Sequence, residues 1–244
     1  MATVSHELRT PMTSIKGYAD LLLLGAAGDV APQQRGFLET IKHNADRLTK
    51  LVNDLLDISR IDQGRVEMRF GSVEVPRVIE RTAAHLRGRC EDEGRAMHIV
   101  ADVPADPALT VWGDYDKVAQ ILINLADNAF NYTPEDGTIT LAARRDEPAG
   151  QVILSVTDTG IGIPPEIAGR VFERFFRGED THEMVLDTPG TGLGLSIVRE
   201  LVEFHQGRIW FDSQVGQGTT FYVMLPAHAP DSEALDRAAQ ANGE

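Results

Sequence analysis

The sequence has one cysteine, Cys90, few aromatic residues and no long apolar run. A single cysteine excludes an intrachain disulfide and a cysteine-rich zinc site. Cys90 lies in the polar context Arg-Gly-Arg-Cys-Glu-Asp, with no histidine or second thiol arranged around it, the setting of an unreactive thiol. Purely apolar stretches such as Leu21-Leu22-Leu23-Leu24 are far short of the ~20 residues that cross a bilayer. No basic-then-apolar secretion signal opens the chain, so it reads as cytoplasmic. Basic residues are also scarce: 23 Lys and Arg face 37 Asp and Glu, a net charge of −14. That balance argues against non-specific nucleic-acid binding, which needs clustered cations. It leaves room for a local anion site built from backbone N–H groups. A Gly-Lys-Ser/Thr phosphate loop is missing, and no βαβ unit surrounds any glycine cluster.

What is present is an ordinary globular balance, 42% apolar and 25% charged over 244 residues, enough for one large domain or two smaller ones. Val4, Leu8, Met12, Ile15, Ala19 and Leu22 recur at three- and four-residue spacing, and so do Phe37, Ile41, Asn44, Leu48, Leu51, Leu55 and Ile58. This is the narrow seam of a coiled coil or four-helix bundle. Between the two stripes, residues 25–34 read as a helix stop, a loop and a restart at Pro32. The spacing predicts an antiparallel helical hairpin over residues 1–63. A lone hairpin cannot bury both stripes. It either pairs with a second copy as a four-helix bundle or packs on the rest of its own chain.

After Gly64 the pattern changes. Strands are expected at 66–70 and 97–103, helices at 75–93 and 114–131, and a strand pair at 138–145 and 151–158 across a Glu-Pro-Ala-Gly turn. A Gly/Pro-rich stretch over 159–194 has no clear period. A helix over 195–205 and a hairpin of strands at 208–213 and 219–225 close the domain. The whole is of the α+β class: a helical hairpin, then an α/β sandwich over 64–226 with helices on one face of a mixed sheet. Residues 227–244 read as a frayed tail.

Several short motifs carry chemistry. In Ser5-His6-Glu7-Leu8-Arg9-Thr10-Pro11, the seam turns inward and displaces His6 onto an exposed flank. An imidazole beside a carboxylate suits a phosphoryl acceptor, with Glu7 taking up the ring proton; by itself the pair is more often a solvated surface. Pro11 should kink the helix one turn on. Asn124 and Asn128 lie four apart on one helical face, beside the apolar stripe of Ile121, Leu122, Leu125 and Ala129. They suit either solvent or a divalent cation and phosphate. Asp158-Thr-Gly160-Ile-Gly162 follows a strand and offers a carboxylate above a backbone that a flat ring can approach. Gly190-Thr191-Gly192-Leu193-Gly194 opens directly into a helix, exposing N–H groups at its positive end. Between them, Phe172-Glu-Arg-Phe-Phe-Arg177 suggests a lid anchored by phenylalanines, from which Arg177 reaches a phosphate; an ordinary amphipathic turn fits it equally well.

These pieces, in this order, resemble the sensor histidine kinases of two-component signalling. Residues 6–11 are similar to the phosphoacceptor box, 124–128 to the asparagine box, and 158–162, 172–176 and 190–195 to the glycine, phenylalanine and second glycine boxes. Gly216-x-Gly218-Thr219-Thr220-Phe221 resembles the last glycine-containing strand. The resemblance covers residues 3–226. It implies a homodimeric hairpin joined to a Bergerat-type ATP-binding sandwich, with ATP and Mg²⁺ as cofactors and a response-regulator receiver domain as partner. It implies that Asp158, with Gly160, Gly162 and Thr219, holds the adenine end, and that Tyr132 lies against the ring. Asn124 and Asn128 would serve Mg²⁺ and phosphates. Gly190, Thr191, Gly192, Leu193 and Gly194 would cradle the triphosphate with Arg177. Glu7 assists transfer to His6, and Thr10 orients water for dephosphorylating the regulator.

Related ATPases carry a water-activating Glu where this chain has Asn124, which is no base, so ATP should survive until His6 arrives. Two departures stand out. Asn131 occupies a position where the family often has Lys or Arg, removing one phosphate contact. The insertion 178–189 carries Glu179, Asp180, Glu183 and Asp187, an acidic load expected to be mobile. A sensing region, and with it any membrane contact, would lie upstream. Two other classes compete with the kinase reading: an inactive kinase-like dimer that senses nucleotide, and a Bergerat ATPase or serine kinase acting on a partner.

Overall fold

A computed structural model describes residues 2–103, 109–146, 150–177 and 190–229, with side chains from residue 10 onward. Helix α1 (Ala2–Leu23) runs through Pro11 and ends at Gly25, whose φ of 77° only glycine adopts readily. Helix α2 (Pro32–Asp62) restarts at a proline, where a missing N–H costs nothing, and the Gln34 side chain accepts from the Ala31 N–H at 3.0 Å. The two helices are antiparallel. Lys16 pairs with Asp46 and Lys42 with Asp20, so facing residue numbers total 62. Within one chain the seam is only half covered: Ala19, Ala45 and Ile58 are buried, but Ile15, Phe37, Ile41, Leu48 and Leu55 stay exposed.

The second part begins one turn later than the sequence suggests. Residues 66–70 alternate like a strand but form no ladder, because the Arg69 N–H is taken by the Asp114 carboxylate at 2.8 Å. The strand is instead β1 (Gly71–Glu74), followed by α3 (Val75–Glu93) and β2 (His98–Asp102). Its antiparallel partner, β3 (Thr110–Gly113), is too short to show a period in the sequence. Helix α4 (Tyr115–Tyr132) is capped by Asp114, which accepts from the N–H groups of Asp116 and Lys117. These three backbone donors outweigh the cost of burial and hold the Asp114 carboxyl below its ordinary range.

Strands β4 (Thr138–Asp146) and β5 (Gln151–Asp158), a short turn α5 (Pro165–Ala168), helix α6 (Gly194–Phe204), and strands β6 (Arg208–Gln214) and β7 (Gly218–Pro226) complete the chain. The five-stranded order is β2-β4-β5-β7-β6, antiparallel except for β2 beside β4. Phe221, Val223 and Leu225 of β7 enter one core with Ile79, Leu86, Ile121, Leu125, Ile197 and Leu201 from α3, α4 and α6. Thr220, Tyr222 and Met224 lie half-buried on the other face. Ala227 is buried and bonds Gly150, so the packed region extends past 226; residues 230–244 lie outside the described ones. No described helix is long and apolar enough to cross a membrane.

Candidate nucleotide site

A cleft of about 550 Å³ opens between α4, the start of α6 and the loop after β5, with α2 along its side. That volume suits a nucleotide-sized ligand. Asn124, Asn128 and Tyr132 line it from α4, Asp158 and Gly162 from the end of β5, and Thr219 from β7. Arg177, Gly190, Thr191, Gly192 and Gly194 line it from the lid base and the α6 entrance. Gly160 and Leu193 are not on its wall. Leu193 is a fully buried core side chain, so that position offers only backbone to a ligand. Thr10 is exposed on α1 away from the cleft, and the side chains of His6 and Glu7 lie outside the described residues, as does the acidic insertion 178–189.

The backbone around Asp158 is too tight for any side chain. A Cβ on Gly160 would sit 2.4 Å from the Tyr132 carbonyl, and one on Gly218 would sit 1.9 Å from the Asp158 carbonyl. The loops therefore close directly onto the carboxylate, which accepts from the N–H groups of Gly160 (2.8 Å) and Thr219 (3.2 Å). Burial dominates and pushes the Asp158 carboxyl up to about 6, the two N–H donors offsetting part of the shift. Above that pH it is an anion with one oxygen left to accept from a ligand's amine.

At the other end, Asn124 Nδ2 is buried with no hydrogen-bond partner. A donor left so costs about 1–3 kcal/mol unless a bound acceptor satisfies it. Gly194, first residue of α6, faces Asn124 with its Cα hydrogen side, and the helix N-terminus carries no side-chain cap. Unsatisfied N–H groups, a positive helix end and an orphaned amide together suit an anion. Among the described residues no cluster of three His, Cys, Asp or Glu could hold a metal, so a divalent ion here would rely on the asparagine oxygens and on the ligand's own phosphates.

The phenylalanine segment divides its labour. Phe172 docks on Phe211 and Phe221 at ring separations of 6.0 and 6.3 Å, whereas Phe176 faces the cleft. Phe175 is exposed at a φ of 63°, and its N–H bonds the Gly192 carbonyl at 2.8 Å, joining lid base to glycine loop. Arg174 reaches not a phosphate site but Asp62, holding that carboxyl below its usual range.

Sequence patterns did not reveal the contribution of α2. Thr191 donates to Asp54, Gln120 donates to Asp57, and Lys50 pairs with Asp127 at 2.9 Å. Nor did they reveal the cluster on Asp127, which also receives His85 and Arg89, both at 3.1 Å. Burial would raise Asp127, but these partners prevail and hold its carboxyl well below the usual range. The four-residue spacing of His85 and Arg89 was the one available signal, since it sets both on one face of α3.

Residues 1–64 match the His Kinase A (phospho-acceptor) domain, and residues 113–229 match the histidine kinase-, DNA gyrase B- and HSP90-like ATPases. The solved mycobacterial sensor histidine kinase MprB is 30% identical at a TM-score of 0.54, covering 65% of this chain and 97% of that one. The chain belongs to the sensor histidine kinase family. This histidine kinase core is 35% identical to the sensor histidine kinase WalK of Bacillus subtilis, over 98% of its own length and 38% of WalK. It is 36% identical to the non-motile and phage-resistance protein of Caulobacter vibrioides, over 96% of this chain and 27% of that protein. It thus spans about a third of the curated relatives it matches. The crystal structure of full-length ShkA in complex with AMPPNP superposes at a TM-score of 0.71 and 31% identity, over 92% of this chain and 45% of that one.

Proposed function

We propose that this kinase core transfers the γ-phosphoryl group of ATP to His6 and then to an aspartate of a response-regulator receiver domain. The observation that carries the reading is the single cleft uniting a buried carboxylate, two α4 asparagines and the α6 entrance, set against the hairpin whose first helix bears His6. Asp158 accepts the adenine amine, with Tyr132 beside the ring. The glycine-loop N–H groups, Arg177 and the Asn124 amide receive phosphate oxygens. Mg²⁺, carried by Asn124, Asn128 and the phosphates, supplies charge neutralisation when bound. A ring nitrogen of His6 attacks the γ-phosphorus, the bond to the β-phosphate oxygen breaks, ADP departs, and Glu7 takes the imidazole proton. With Asn124 in place of a base, water is not activated as a rival nucleophile.

Residues 1–63 are read as the dimerising phosphotransfer unit and 64–226 as the ATP-binding unit, on the cytoplasmic side if an upstream region anchors the protein. The half-uncovered seam of the hairpin supports pairing with a second copy. Thr10, exposed one turn after His6, is read as the residue that orients water for dephosphorylating the regulator. Incubation with γ-labelled ATP tests the reading. Acid-labile label on the wild-type chain is expected. His6→Gln should bind ATP without taking label, and Asn128→Ala should lose nucleotide. Acid-stable label on an added partner, or ATP binding with no label at all, rejects the proposal.

A further inference from the structure

The three α4 asparagines that line the cleft, Asn124, Asn128 and Asn131, carry no charge, although a triphosphate is a polyanion. Position 131 lies three residues beyond Asn128, toward the Asp158 end, so under the nucleotide reading it stands between the adenine and the outer phosphates. A cation reaches this place from another helix. The Arg89 guanidinium of α3 lies against Asn131, with Nη2 3.5 Å from the Asn131 Oδ1, and lines the same cleft. Its plane stacks on the buried Phe130 ring at 3.9 Å, which fixes the fork before any ligand arrives.

The neighbouring Arg95 shows what a purely structural arginine looks like here. It stacks on the same ring from 4.4 Å, but its donors are spent on the main-chain carbonyls of Phe130 and Thr133, and it is not on the cleft wall. Arg89 instead bonds only side chains at the cleft, Asp127, Glu93 and Asn131. Those partners can yield an N–H to a phosphate oxygen without breaking the backbone. Among the described residues these partners take four of its five N–H groups, so one Nη1 N–H is left to donate at once and the side-chain bonds exchange for a phosphate oxygen.

We propose that Arg89 is a second phosphate-binding cation of this site beside Arg177, supplied by α3 in place of a basic residue at position 131, and that it grips the phosphates nearest the ribose. The proposal rests on the nucleotide reading above. Titration of the full chain with Mg-AMPPNP, Mg-ADP and adenosine tests it. In Arg89→Gln the affinities for AMPPNP and ADP should fall roughly ten- to a hundredfold, with adenosine unchanged to within about twofold. Adding Asn131→Lys to Arg89→Gln should restore most of the loss, and Arg89→Lys alone should retain part of it. Equal AMPPNP affinity in wild type and Arg89→Gln overturns the proposal, and so does a parallel loss of adenosine, which would mark a structural role. A wild-type chain that binds none of the three ligands fails the nucleotide reading itself.

Discussion

Thr191 Oγ1 donates to the Asp54 carboxylate at 2.8 Å, tying the middle of the glycine loop to α2. The same oxygen accepts from the Leu193 N–H at 3.2 Å, so one hydroxyl both docks the loop on the hairpin and braces the loop backbone just ahead of α6. Asp54 is buried, and that burial raises its carboxyl despite the Thr191 bond and the nearby Lys50. Asp127 behaves oppositely because it has several cationic partners.

Removing the hydroxyl should therefore loosen the hairpin. Thr191→Val leaves a buried carboxylate without its donor, costing about 1–3 kcal/mol. Hydrogen exchange at α2 amides near residue 54 should quicken, whereas Thr191→Ser should match wild type. Because the docked Asp54 titrates above its ordinary value, docking is strongest in acid and weakens as pH rises through the shifted pKa. Exchange that ignores both the substitution and pH would contradict this account.

Asp158 sets stability against binding. Its carboxyl sits near 6 in the fold against an ordinary 3.8. Below pH 3.8 both states are protonated and the group contributes nothing adverse; above 6 the folded chain holds a desolvated charge. The gap of roughly two units corresponds to ~3 kcal/mol at neutral pH. Asp158→Asn should thus melt higher than wild type at pH 7.5, the difference vanishing near pH 4, while losing nucleotide affinity. Thermal scans at the two pH values decide it, and a variant less stable at pH 7.5 rules the explanation out.

Gly162 tests the close approach of backbone to the site. Its φ is 73°, and an added Cβ would stand 2.2 Å from the Gln214 carbonyl. Gly162→Ala should cost at least about 1–2 kcal/mol for the left-handed backbone alone, and displace the loop that follows Asp158. Gly169→Ala, where nothing stands within 4 Å, is the control and should be neutral. Similar melting points for the two would refute the steric argument.

Pairing of hairpins predicts a mass. Leu48 and Leu55 are exposed on α2, two turns apart along the seam. If a second copy covers them, Leu48→Glu with Leu55→Glu should convert a dimer to a monomer in sedimentation velocity at micromolar concentration. A wild-type monomer, or a double variant that stays dimeric, removes this face from the interface.

Local chemistry made much of the fold readable. Gly25 and Pro32 bounded the hairpin, the apolar stripe of Ile121, Leu122, Leu125 and Ala129 marked α4, and the Glu-Pro-Ala-Gly turn set off β4 from β5. The failure at 66–70 is instructive: alternation survives there, but a ladder needs a free N–H, and Asp114, distant in sequence, takes that of Arg69. The cleft's asparagines and glycines were visible because their spacing is local. Lys50, Asp54, His85, Arg89 and Asp127 were not, since their roles arise only where three separate helices meet.

The hairpin's pairing has a geometric consequence. With facing residue numbers totalling 62, the turn that carries His6 stands level with about residue 56 of α2. The glycine loop touches down at Asp54, two residues away and so roughly 3 Å along the helix axis. On the proposed reading, the glycine loop and the turn that bears the acceptor share one storey of the bundle, and transfer calls for a swing around the hairpin, not a climb along it.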